Sequence, residues 1–182
     1  MKFALSKLHK VITGDSLSEA IKQLSLEVLD SVSNTRNLVL AGISPNGAHL
    51  ANHFRLEIEK IVSHSIYSID LNRNFSNSRE FESNHTIQSE SLSILNNKNL
   101  ELLFIDDLII TGKSAFNAFK SIKDQQIIKR VLLLTIINQV NERFFPIHPD
   151  FCFCCQTSQP RNKYLFFYDE SVHEEGFYIV ER

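Results

Sequence analysis

The chain has 182 residues, 43% apolar content and a formal net charge of −2. That is enough to bury one substantial core without splitting, so a single domain over 1–182 is expected. The charge gives no global reason to bind nucleic acid. The longest apolar runs are too short to span a bilayer, and the opening MKFALSKLHK lacks the apolar core of a signal peptide. A cytoplasmic location with no membrane partner follows as the expectation.

In chain order the elements alternate. Asp15 or Ser16 can cap a helix that carries Leu17, Ala20, Ile21, Leu24 and Val28 on one face. Leu38 to Ile43 reads as a short central strand, and Gly47 opens a helical stretch through Ile61 with Leu50, Phe54 and Ile58 at helical spacing. His49 and His53 stand four apart on it, but HLANH lacks the glutamate of HExxH, so they read as surface or packing histidines. Ile66 to Leu71 is the next strand. From Asn72 to Asn99 the chain turns to Asn, Ser and charge without periodicity. A stretch this long inside a compact domain is more often functional or disordered than filler. Then come the Leu102 to Ile105 strand, a helix through Lys123 and the apolar strand Val131 to Ile137. The remainder reads as irregular structure with short strands. Cys152, Cys154 and Cys155 cannot form a disulfide framework or a zinc site by themselves and read as buried, reduced residues; on a strand, Cys152 and Cys154 share one face and Cys155 takes the other. Strands alternating with helices predict an α/β fold, a mostly parallel sheet flanked by helices.

The densest chemistry lies in ELLFIDDLIITGKS, residues 101 to 114. An apolar strand delivers two adjacent carboxylates, Asp106 and Asp107; Leu108, Ile109 and Ile110 follow, then Thr111, Gly112, Lys113 and Ser114 lead into a helix. Free N–H groups of such a turn and the helix N-terminus suit a phosphate. The two carboxylates suit ribose hydroxyls or a hydrated Mg²⁺, and their mutual repulsion would be relieved by a cation or a donor-rich ligand. A Walker A loop, which shares the GKS ending, needs a glycine five residues before Gly112; Asp107 stands there.

FIDDLIITGKS resembles the phosphoribosyl diphosphate (PRPP) motif of type I phosphoribosyltransferases. LVLAGISPNGAHLANHF, YSIDLNRN, RFFPIHPDFCFCCQTS and EGFYIVE resemble, in the same order, segments of one branch: the pyrimidine operon attenuation regulator/uracil phosphoribosyltransferase proteins. The resemblance implies the type I phosphoribosyltransferase fold with a mobile hood over 72–99. It implies transfer of phosphoribosyl from PRPP to a nucleobase, uracil in this branch, with Mg²⁺ and release of pyrophosphate. Leu108 to Ser114 would line the ribose-phosphate site, with Thr111 to Ser114 around the 5′-phosphate. Asp106 and Asp107 would take the ribose hydroxyls and hold Mg²⁺ through water. Ser44 to Gly47, Asn46 among them, would form the pyrophosphate loop, with Gly47 permitting close backbone approach, and Arg73 would be a pyrophosphate ligand. A homodimer is the expected assembly, and the branch binds messenger RNA, which the charge balance of this chain does not support.

The chain departs from the family where the leaving group is handled. Asn46, preceded by Pro45, stands where the loop usually has a basic residue, and Asn138-Gln139 replaces an Asp-Arg pair. The loop 72–99 is poor in arginine, with Arg79 alone beyond Arg73. Two readings therefore stay open: a uracil phosphoribosyltransferase, or a catalytically weakened protein that senses PRPP or nucleotide and regulates. A helper subunit whose partner supplies the missing basic residues is a third.

Overall fold

The computed structural model describes residues 8–71, 99–122, 127–156, 162–167 and 175–181. The expected hood and Arg73 lie outside these residues, apart from Asn99.

Five strands build the main sheet: β2 (Leu38–Gly42), β3 (Tyr67–Asp70), β4 (Leu100–Ile109), β5 (Ile128–Gln139) and β6 (Phe151–Gln156). They lie in the order β3-β2-β4-β5-β6 and every pairing is parallel. Among the described residues, three α-helices complete the layers: α1 (Asp15–Ser31), α2 (Pro45–Ile61) and α3 (Lys113–Lys120). Strand alternation sorts the core into two halves. Leu38, Leu40, Leu103 and Ile105 face α1 and α2, where Leu24, Val28, Leu50, Phe54 and Ile58 are buried. Val39, Ala41, Leu102 and Phe104 face the other way, toward Ala115 and Ala118 of α3. Helices on both faces explain why these strands read as unbroken apolar runs.

β1 (Leu8–Thr13), β7 (Asn162–Phe167) and β8 (Gly176–Glu181) form a second, antiparallel sheet in the order β1-β8-β7. Ile12 and Phe177 join it to the core under α1 and α2. The short strands expected near the C-terminus are therefore a sheet that pairs the two ends of the chain.

Several boundaries differ from those read in the sequence. Gly14, at φ 51°, occupies the N-cap of α1, so Asp15 falls in the first turn, where its charge suits the helix dipole, and the Ser16 hydroxyl donates to the Thr13 carbonyl. α2 begins at Pro45 rather than Gly47, because the Ser44 hydroxyl accepts from the Gly47 amide and proline fits the first helical position. α3 stops at Lys120, where the Ser121 amide and hydroxyl both donate to the Ala118 carbonyl. The largest difference concerns β4. It does not end at Ile105 but continues through both aspartates to Ile109, held by β5, whose Thr135, Ile137 and Asn138 stand opposite Asp106, Leu108 and Ile109.

The cysteines also differ from expectation. β6 is the edge of the sheet, so Cys152 and Cys154 are only half-buried and Cys155 is exposed. Cys152 and Cys155 bring their sulfurs within 3.4 Å instead of pointing to opposite faces. Burial and the neighbouring Cys155 thiol push the Cys152 thiol up to about 12, so it stays protonated at neutral pH.

Candidate functional site

The strand order reverses between β2 and β4: the connection through α2 leads outward to β3, while β4 leads the other way to β5 and β6. Ligands of open parallel sheets bind at such a reversal, beyond the carboxyl ends of the strands. Ser44 to Gly47 and the carboxylate pair, singled out in the sequence, meet there, while Arg73 lies outside the described residues. The Ile43 amide donates to the Ile105 carbonyl at 3.0 Å, setting the end of β2 against the middle of β4. A Cβ on Gly47 would lie 2.4 Å from the Ile105 carbonyl oxygen, so only glycine lets the first turn of α2 approach β4 this closely. The close approach expected of Gly47 is thus made to its own sheet.

This packing gives the carboxylate pair its partners. The Ser44 hydroxyl donates to Asp106 Oδ1 at 2.8 Å, and the Asp107 amide reaches the same oxygen at 3.1 Å. Asn46 Nδ2 donates to Asp107 Oδ2 at 2.9 Å. Ser44 thus works twice, capping α2 through Gly47 and holding Asp106. Asp106 is 4% exposed, while Asp107 is half-buried. Burial first, and the Asp107 charge second, hold the Asp106 carboxyl well above the usual carboxylate range, against the opposing Ser44 hydrogen bond. No cationic side chain pairs with Asp106 among the described residues; its partners are neutral.

Beyond the pair, a cavity of about 300 Å³ is lined by Asp106, Leu108 to Ala115 and Glu142. Ile109 is only 2% exposed and its side chain packs in the core, which leaves its backbone to face the cavity. Gly112, at φ 79°, turns the chain into α3, a conformation that favours glycine. The first turn of α3 presents N–H groups with no intrahelical partner, beside the exposed Lys113 and Ser114. Thr111 braces the turn: its hydroxyl accepts from the Lys113 amide at 3.3 Å, and its carbonyl accepts from the Phe144 and Phe145 amides at 3.1 and 3.0 Å. Phe145 stacks on Phe116 of α3 at 4.4 Å.

The sequence reading missed Arg143. Its Nη2 donates to the Asn138 side-chain carbonyl, while Nε and Nη1 are buried without a hydrogen-bond partner among the described residues. A Cβ on Gly112 would lie 3.5 Å from Arg143 Cδ, so the stem of this side chain passes behind the Gly112 turn. It falls in the RFFPIHPD segment already marked by the resemblance, and no local pattern announced its role. Asn138 and Gln139, where the resemblance leads us to expect an Asp-Arg pair, are buried at the end of β5, with Gln139 donating to Glu142 at 3.3 Å. Arg143 therefore meets a neutral amide where a carboxylate would have formed an ion pair.

The described helices include none long and apolar enough to cross a membrane. No family model matches the chain. Among curated proteins it is similar to the bifunctional protein PyrR of Limosilactobacillus fermentum, 25% identical over 149 residues, covering 79% of this chain and 81% of the relative. PyrR of Limosilactobacillus reuteri is 24% identical over 148 residues, covering 79% and 82%. Among solved structures, a hypoxanthine-guanine phosphoribosyltransferase from Schistosoma mansoni in complex with IMP superposes with a TM-score of 0.64 at 14% identity, over 95% of this chain and 81% of that one. The Leishmania tarentolae enzyme in complex with GMP gives 0.62 at 11% identity, over 99% of both chains. The chain is thus similar in sequence to the PyrR branch of the type I phosphoribosyltransferases and has their fold.

Proposed function

We propose that the protein is a phosphoribosyltransferase that binds PRPP across Asp106 to Ser114 and joins its ribose to uracil, releasing pyrophosphate. The observation that carries this reading is the convergence, at the sheet's reversal point, of adjacent carboxylates, Asp106 buried and Asp107 half-buried, with a cavity of about 300 Å³ at a helix N-terminus. The 5′-phosphate would sit on the Thr111 to Ser114 backbone, with the Lys113 charge close by. Asp106 and Asp107 would accept hydrogen bonds from the ribose hydroxyls, which fixes the sugar before the C1′–O bond to pyrophosphate breaks and the bond from C1′ to a base nitrogen forms. That nitrogen loses its proton to solvent. The protein's contribution is mainly positioning and electrostatic, as an oxocarbenium-like transition state requires.

The donor set suits Mg²⁺: two adjacent carboxylates whose present partners are neutral would gain from a hard cation held through water. When bound, Mg²⁺ would offset charge on the diphosphate. In this reading 72–99 closes over the ligand from the same single domain, Arg73 contacts pyrophosphate, and the protein works as a cytoplasmic homodimer.

One observation favours a second reading, that of a PRPP or nucleotide sensor. Asn46, which brings no charge to the leaving group, is tied to Asp107. The deciding assay supplies PRPP, Mg²⁺ and uracil and follows pyrophosphate. Turnover is expected. Binding of PRPP or UMP without turnover on any common base would select the sensor, for which pyrimidine-gene messenger RNA is the partner to test. Neither binding nor turnover would overturn both readings.

A further inference from the structure

We infer that His49, His53 and Glu175 form a binding site for a transition-metal ion such as Zn²⁺, separate from the carboxylate pair. His49 and His53 lie one turn apart on α2, and Glu175 immediately precedes β8 of the small sheet. The two Nε2 atoms are 2.9 Å apart; His49 Nε2 lies 3.3 Å from Glu175 Oε1, and His53 Nε2 lies 3.3 Å from Oε2. Donors held about 2.0–2.2 Å from one tetrahedral ion stand about 3.3–3.6 Å from each other, so the group needs only small adjustments to close on a metal. The exposures of 21%, 34% and 29% leave the donors reachable by an ion and by a water in a remaining position.

Proton counting favours the ion. With both Nε2 atoms protonated, two N–H groups face each other at 2.9 Å. With either one bare, its lone pair faces a carboxylate oxygen at 3.3 Å. With Glu175 ionised, each of these states leaves one contact mismatched, whereas a cation among the three satisfies all of them. Two imidazoles and one carboxylate select zinc, cobalt, nickel or copper over Mg²⁺.

The donors are also held in place. The Gly14 amide donates to the Glu175 carbonyl at 3.3 Å, and a Cβ on the neighbouring Gly176 would come within 2.4 Å of Thr13 Cγ2. The backbone of Glu175 is therefore packed against the end of β1, while the histidines ride on a helix whose Phe54 and Leu50 are fully buried. Such support from rigid elements is what a preorganised site needs. A bound ion would clamp the small sheet to α2, the helix whose N-terminal turn holds Asp106 and Asp107.

The test uses the full chain, stripped by a chelator and titrated with Zn²⁺ and then Co²⁺. One equivalent of Zn²⁺ should bind and raise the melting temperature, and Co²⁺ should develop the visible bands of a low-coordinate nitrogen and oxygen site. His53→Ala and the near-isosteric Glu175→Gln, each checked for an unchanged fold by circular dichroism, should each weaken binding by at least about tenfold. Asp107→Asn and Cys155→Ser should bind as the parent does, which separates this site from the carboxylate pair and from the thiols. Absence of stoichiometric binding, or binding that survives either His53→Ala or Glu175→Gln, would overturn the inference.

Discussion

β4 carries a buried carboxylate at each end, and the two are treated in opposite ways. At the start, Glu101 is 2% exposed and fully partnered: the Ser33 amide donates to it at 2.9 Å, the Ser33 hydroxyl donates as well, and Arg130 Nε lies 3.4 Å away. Burial alone would raise its pKa, but the Ser33 hydrogen bonds and the charges of Arg130 and Lys129 hold it below the ordinary carboxylate value. Toward the far end, Asp106 lies deeper in the protein, has neutral hydrogen-bond donors and a carboxylate neighbour, and is held well above that range. A charge buried for stability comes with its counter-charge. One buried without it marks a candidate ligand site.

The comparison makes its strongest demand on Glu101. Glu101→Ala should cost about 3 kcal/mol, since it removes charge-assisted hydrogen bonds worth about 1.5–3 kcal/mol and leaves a cavity. The wild-type advantage has a defined pH course. A depressed native pKa contributes stability above the unfolded value of about 4, and that stability is lost as pH falls through the native one. The gap between the melting curves of the two proteins should therefore narrow from pH 8 toward pH 3, leaving the cavity part. A constant gap would mean that the loss is cavity alone.

Asp106 should behave in reverse, with a smaller effect. Its raised native pKa makes its contribution fully present below about pH 4 and lost as pH rises through the native value. Asp106→Asn should remove that cost and raise the melting temperature at pH 8 by roughly 2–4 °C, the shift expected for about 1 kcal/mol in a chain of this size. The gain should vanish toward pH 4. A destabilised variant at pH 8 would show that the ionised carboxylate is already satisfied.

The smallest change is expected at the loop. Asn46→Lys places a cation where Asn46 now binds Asp107, and turnover with PRPP and uracil should rise a few-fold, roughly 0.5–1 kcal/mol of transition-state stabilisation. Unchanged turnover would locate the deficit elsewhere, with Asn138 facing Arg143 as the next position to alter.

What could be read in the sequence was whatever rests on neighbours in the chain. The apolar runs of β2, β4 and β5 marked the sheet, and the order of carboxylates, turn and helix in FIDDLIITGKS marked where the turn and α3 fall. What depended on distant pairing stayed hidden. β4 outlasts its apolar run because β5 supplies ladder partners opposite Asp106 to Ile109, which composition at those positions cannot reveal. The sheet β1-β8-β7 joins the two ends of the chain, with Leu8 opposite Val180. His49 and His53 were visible as a pair, but Glu175 reaches them only through the packing of β8, 126 residues beyond His49. Arg143 was hidden for the same reason, since its place behind Gly112 is set by a turn packing onto α3.

The central claim is that Asp106 and Asp107 are a ribose-phosphate site and not a structural strand end. Calorimetric titration of PRPP with Mg²⁺ into the parent and into Asp107→Asn tests it most directly, because Asp107 is half-buried and its substitution should leave the fold intact. The parent should bind, and the variant should bind at least about tenfold more weakly, about 1.4 kcal/mol, with a melting temperature no lower than the parent's. Equal affinities would contradict the account and make the carboxylate pair part of the scaffold.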